Sequence, residues 1–142
     1  MGLSTAVFLL LAVLAWGVGA FLDKLSLKYL DPAGAFYARA LFNILLFAPL
    51  LAWKFHQTRH AMTGSGRLGP LLVGASVVIT MSGVFFYLKA LSGGEATRIV
   101  PLSSAYPVVT FALALAFLGE DFTAARLLGT LLLSGGVYFI SR

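Results

Sequence analysis

The sequence predicts an all-α integral membrane protein with five transmembrane helices, and three observations carry that prediction. Apolar residues make up 60% of the chain and charged residues 11%, against about 45 to 50% and about 25% in soluble domains. Mean hydropathy is +0.96. The apolar residues gather into five runs, 3–22, 33–53, 68–91, 99–118 and 122–140, each near the roughly 20 helical residues that a hydrocarbon core of about 30 Å takes. The lipid bilayer is the solvent this chain expects. The intervening stretches "DKLSLKYLDP", "KFHQTRHAMTGSGR", "SGGEATR" and "GED" carry the charges and turn residues. Short connections of this kind imply a single domain over residues 1–142, with the termini on opposite sides of the membrane.

In the first span Thr5, Ala12, Trp16, Gly19 and Asp23 align on one face. "VGA" at Val18 to Ala20 looks like a small-residue cleavage site, but no Lys or Arg precedes the apolar run, so an uncleaved membrane helix is expected. The second span sets Arg39 and Asn43 one turn apart. In the third, Ser76, Thr80, Gly83 and Tyr87 fall on one narrow stripe at about 100° per residue, extended by Gly69 and Ala90. A stripe of that kind should not face lipid.

The fourth span contains "IVPLSSAYPVV" in a run without charge. Ser103, Ser104, Pro107, Thr110 and Ala114 share one side, and Ala105, Ala112, Ala116 and Gly119 line the other. Pro101 is expected near the first turn, where a missing N–H costs little. Pro107 is expected to kink the helix by removing the donor to the Ser103 carbonyl. A carbonyl freed in hydrocarbon costs several kcal/mol unless protein or water satisfies it, and the adjacent serine hydroxyls can supply part of what is missing. Two readings remain open for this bent segment. It lines a cavity at the membrane midplane, or it is a kink held by close helix packing; the polar stripe of the third span favours the cavity. The fifth span offers a smooth face with Ala125, Gly129 and Gly136.

Several functions are disfavoured. The net charge of +5 sits mostly at the ends of apolar runs, as in membrane proteins, so nucleic acid is not an expected partner. "GSGRLG" fits a glycine-rich nucleotide pattern, but no strand precedes it and no βαβ unit is possible in this composition, so it reads as a loop. His56 and His60 have the spacing of a metal pair, yet no third ligand lies nearby in sequence; they read as solvated and interfacial. No metal or cofactor is expected. With no cysteine, thiol chemistry is ruled out, and no catalytic set of side chains is recognisable, so an enzyme is not expected.

The residues also resemble a known family. "AWGVGAFLDK" is similar to the opening of EamA-type repeats in the drug/metabolite transporter superfamily, and "LDPAGAFYARAL" resembles that repeat's Pro followed seven residues later by Arg, here Pro32 and Arg39. "YLKALSGGEATRIVPLSSAYPVVTFALALAFLGE" resembles its most specific part through Tyr87, Ala90, Leu91, Ala96, Pro101, Leu102, Pro107 and Gly119-Glu120, and "LLGTLLLSGGVYFIS" resembles its last helix. Only the connection 54–67 is generic.

This resemblance implies two inverted five-helix repeats around a central substrate cavity, with the fifth helix of each more peripheral. One repeat is present here, so a homodimer is implied, and an antiparallel one is favoured. The implied function is half-size secondary transport of a small metabolite or amino-acid-like solute by alternating access, without ATP. The expected substrate contacts are Trp16, Arg39, Asn43, Ser76, Thr80, Gly83, Tyr87, Ser103, Ser104, Pro107 and Thr110. Arg39 and Lys89 are candidates for attracting an anionic group, although both lie near enough to a membrane surface to snorkel. The expected location is the inner membrane of a bacterial or archaeal cell. The competing reading is a non-transporting membrane subunit or regulatory packing partner, whose polar stripes bond helices together.

Overall fold

The computed structural model describes residues 2–64 and 66–141, so Ser65 of "GSGRLG" and Arg142 lie outside the described residues. Among the described residues there are seven α-helical segments and no strand. Helix α1, Leu3–Ser26, continues past its apolar run through Asp23 and Lys24, and the Ser26 hydroxyl donates to the Asp23 carbonyl at 2.8 Å as the chain turns.

Helix α2, Pro32–Trp53, has a sequence-coded start. Asp31 is extended, with φ −69° and ψ 162°, and its carboxylate accepts from Gly34 N at 2.8 Å. Pro32 follows at the first helical position, where its missing N–H costs nothing. The carboxylate sits so close that a Cβ at position 34 would lie 3.1 Å from Asp31 Oδ2. Asp31→Ala is therefore expected to cost about 1 kcal/mol of stability, read as a lower unfolding midpoint in a detergent titration; an unchanged midpoint would mean the cap is not needed.

The connection 54–67, marked in sequence by its charges and turn residues, contains a helix, α3, Phe55–Gly64. The reason is local. No Gly or Pro interrupts the chain between Phe55 and Gly64, and Gln57, Arg59, Ala61 and Met62 are good helix formers; the Thr58 and Thr63 hydroxyls bond back to Lys54 O at 3.1 Å and Arg59 O at 3.0 Å, as hydroxyls on a formed helix can. Gly66 then takes a left-handed turn at φ 68°, which glycine reaches without steric penalty.

Helix α4, Leu68–Gly93, is uninterrupted, and Pro70 falls in its first turn. The fourth apolar run is divided into α5, Ala96–Ser103, and α6, Tyr106–Leu113, which continues as a π-helical segment, Ala114–Leu118. Gly119 ends it in the left-handed region at φ 62° and ψ 27°. Helix α7 is Ala124–Ser141.

Among the described residues, four segments are long and apolar enough to cross a bilayer: α1, α2, α4 and Ala96–Leu118, with 24, 22, 26 and 23 residues. The protein is an integral, multi-pass membrane protein. Large apolar side chains on these segments, such as Leu10, Phe42 and Ile79, are exposed, which suits a hydrocarbon solvent. Two compact units are distinguishable, Met1–Ala20 with Gly93–Arg142, and Phe21–Ser92. In the first, α7 packs on α5 and α6. In the second, Ala35, Leu88 and Leu91 are the buried apolar side chains, and Phe36 meets Phe85 edge to face at 5.5 Å.

Candidate functional site

In the Phe21–Ser92 unit, the end of α1 holds both neighbouring helices. Arg39 Nη2 donates to Asp23 Oδ1 in an ion pair between α2 and α1. Lys24 Nζ donates to the Leu91 carbonyl at 2.7 Å. Leu91 lies in the last turn of α4, where carbonyls have no helical donor and a basic side chain is a favourable partner. Adjacent residues of one turn thus fix α1 to α2 and to α4.

Arg39 is seven residues into α2, about 10 Å along the axis at 1.5 Å per residue. A charge at such a depth is costly unless it is paired, and the pairing with Asp23 replaces the outward snorkelling expected for it. Asp23 is the more sheltered partner, at 18% side-chain exposure against 37% for Arg39. Lys89 lies with Nζ 5.4 Å above the Phe85 ring.

Tyr87 lies on α4, six residues before its end. Its hydroxyl is buried and makes no hydrogen bond among the described residues, and it feels the charges of both Asp23 and Arg39. Leaving such a group unpaired costs about 1 to 3 kcal/mol. The rest of the α4 stripe is not engaged in the same way. Ser76, Thr80 and Gly83 are exposed, and Asn43 on α2 is half-buried. A Cβ placed on Gly83 would meet nothing within 4 Å, so the chain's own packing does not require glycine there.

The remaining expected contacts lie in the other unit. Pro107 has the effect its chemistry dictates: the helix stops at Ser103 and restarts at Tyr106, with Pro107 in its first turn. Across the break Ser104 N bonds to Pro101 O at 3.0 Å and Ala105 N to Leu102 O at 3.3 Å. The tighter bonds deprive the Val100 carbonyl of its helical donor, and both serine hydroxyls turn to it, Ser103 at 2.7 Å and Ser104 at 3.1 Å. These hydroxyls therefore serve Val100 and not the Ser103 carbonyl that the sequence suggested. Pro101 is also further inside than expected, because α5 begins at Ala96.

Pro107 and Thr110 line a groove of about 500 Å³ between α6 and α7, with Gly129 opposite and Glu120, Asp121 and Arg126 at one end. Ser104 lines a second groove of about 560 Å³ with Val100, Pro101, Gly129 and Gly136. Gly129 and Gly136 of α7 thus face α5 and α6 within the chain. Trp16, on α1, is 67% exposed.

Reading the sequence missed the partnership of Asp23 with Arg39. The signal was present in a basic residue two turns inside a span and an acidic residue at the end of the preceding one, since each needs a counter-charge in this solvent. The attachment of Lys24 to the α4 terminus leaves no comparable trace in sequence.

The model of the EamA-like transporter family matches residues 3–142. The chain belongs to the EamA-like transporter family. It is thereby a member of the drug/metabolite transporter superfamily. An uncharacterized protein of Methanocaldococcus jannaschii is 30% identical over 140 residues, which is 98% of each chain. No solved structure matches the chain.

Proposed function

We propose that the chain is one half of a secondary transporter, completed by a second, antiparallel copy, which moves a small metabolite or amino-acid-like solute by alternating access. The observation that carries this reading is that the EamA-like transporter family model accounts for the chain from residue 3 to residue 142. The five-helix domain over residues 1–142 requires α7 as the fifth crossing. Its 18 residues span about 27 Å, close to the hydrocarbon thickness. The exposed polar stripe of α4 supports the reading too, because Ser76, Thr80 and Gly83 are left unpacked by the chain itself. Trp16, Arg39, Asn43, Ser76, Thr80, Gly83, Tyr87, Ser103, Ser104, Pro107 and Thr110 are kept as candidate solute contacts, each on its own element.

Purified chain, reconstituted alone in liposomes, should catalyse saturable counterflow of a solute first selected by thermal shift, without ATP. A ligand that binds only the folded state raises its melting point. Absence of counterflow for every ligand that raises it would favour a subunit that packs with another protein.

The superfamily's small multidrug relatives exchange protons for lipophilic cations at a glutamate inside the first helix. Residues 3–22 here contain no acidic side chain, and Asp23 is taken up by Arg39. Ethidium resistance of cells producing the protein is therefore expected to equal that of control cells. Robust ethidium export that disappears in Asp23→Asn would contradict this.

A further inference from the structure

The Asp23–Arg39 pair and the buried Tyr87 hydroxyl together have the donors of an anion site with one acceptor already in place. A guanidinium presents five N–H donors in a planar fork suited to a carboxylate, and the ion pair engages Arg39 through Nη2 and one Asp23 oxygen. Arg39 keeps 37% of its side chain exposed beside it. Tyr87 Oη, on the facing helix, is buried with no acceptor among the described residues. We propose that Asp23 is an internal stand-in for a substrate carboxylate, which exchanges with it on Arg39 and takes the Tyr87 hydroxyl as a second donor. The inference rests on the transport reading and narrows its substrate to small, water-soluble carboxylates.

Charge supports the exchange. Around this end of the Phe21–Ser92 unit the basic residues are Lys24, Lys28, Arg39 and Lys89, and the acidic ones are Asp23 and Asp31, so the balance is four minus two, or +2. An arriving monoanion lowers that charge. A bidentate guanidinium–carboxylate contact is among the stronger hydrogen-bonded pairings, and bonding the Tyr87 hydroxyl removes the penalty of an unpaired donor. In the empty site Asp23 keeps Arg39 neutralised at a depth where an unpaired cation is costly.

The test is a thermal-shift titration of the purified chain with butyrate and benzoate against their uncharged analogues butyramide and benzamide. The carboxylates should raise the melting point and the amides should not. Asp23→Asn removes the competitor and should lower the half-saturating carboxylate concentration about tenfold, equivalent to about 1.4 kcal/mol. Arg39→Gln should abolish the response. Tyr87→Phe should weaken carboxylate binding several-fold while leaving stability equal or raised, and it keeps the proposal testable if a charge variant does not fold. Equal weakening in Asp23→Asn and Arg39→Gln, or a response that does not distinguish carboxylate from amide, would overturn the exchange and leave the pair as a structural tie. Liposome counterflow separates the two claims. Discriminating carboxylate binding without flux defeats the transport reading alone, and saturable flux of an uncharged solute indifferent to carboxylates defeats the exchange alone.

Discussion

Gly83→Leu and Thr80→Leu are each expected to abolish counterflow while expression and dimer formation stay nearly intact. Both positions are exposed on α4, and beyond the backbone of its own helix turns a Cβ at Gly83 would meet nothing within 4 Å. Leucine at position 83 therefore fits the isolated chain. It should even favour the helix, since glycine is about 0.8 to 1.0 kcal/mol worse than alanine there and leucine is among the better helix formers. What it fills is the space beside the stripe, where the proposed solute passes. Met81 is the control, about 140° from Ser76 around the helix. Met81→Leu conserves volume and should leave flux largely intact. Flux by counterflow, stability by thermal melting and dimer content by cross-linking should be read on the same preparations. Equal loss at all three positions, or loss accompanied by unfolding, would mean the stripe is a packing surface.

A C-terminal tag should be accessible from both sides of the membrane in intact cells. Orientation follows the Lys and Arg count near span ends. With five crossings, the N-terminal side carries Lys54, Arg59, Arg67 and Arg126, and the other side Lys24, Lys28, Arg39, Lys89, Arg98 and Arg142. Four against six is already a weak bias. The structure weakens it further, because Arg39 is held by Asp23 and drops out of the count, leaving five against four. A chain so balanced is expected to insert both ways, and a few lysines added to one connection should drive it to one orientation. A tag reached from one side only would contradict the antiparallel pair in favour of a parallel dimer whose more basic side is cytoplasmic.

Much of the helical plan was legible because hydrocarbon leaves a chain few alternatives. Every backbone donor and acceptor must be satisfied within the span, so an apolar run such as 68–91 can hardly be anything but a helix, and α4 extends it by only two residues at its end. Pro107 was legible for the same reason, since a residue without an N–H breaks the ladder wherever it stands inside a helix. The connection 54–67 was not. Gln57, Arg59, Ala61 and Met62 are good helix formers, but the charges of the stretch and its closing glycines mark it as a connection and mask that preference.

The site was legible in its residue types and not in its partnerships. Tyr87 and Arg39 stood out as polar groups in apolar spans, yet sequence does not say which of several charges meets Arg39, because α1 and α2 are joined by a turn whose geometry sets the meeting point. Likewise, Ser103 and Ser104 were recognisable as repair for a proline break. Which carbonyl they repair follows from the tight bonds at Ser104 and Ala105, a detail of the break itself.

Two oppositely oriented copies of this chain are proposed to make one transport site, and two variants locked in opposite orientations test that pairing. Two or three lysines added to the 54–67 connection fix one orientation, and the same number added to the 27–31 turn fix the other. Each variant is produced alone and then with its counterpart, and counterflow is measured at matched membrane content. Negligible flux from either variant alone, with recovery toward the native level when both are present, is the predicted result. Native-level flux from a single fixed orientation, or no recovery from the pair although both are inserted, would contradict it.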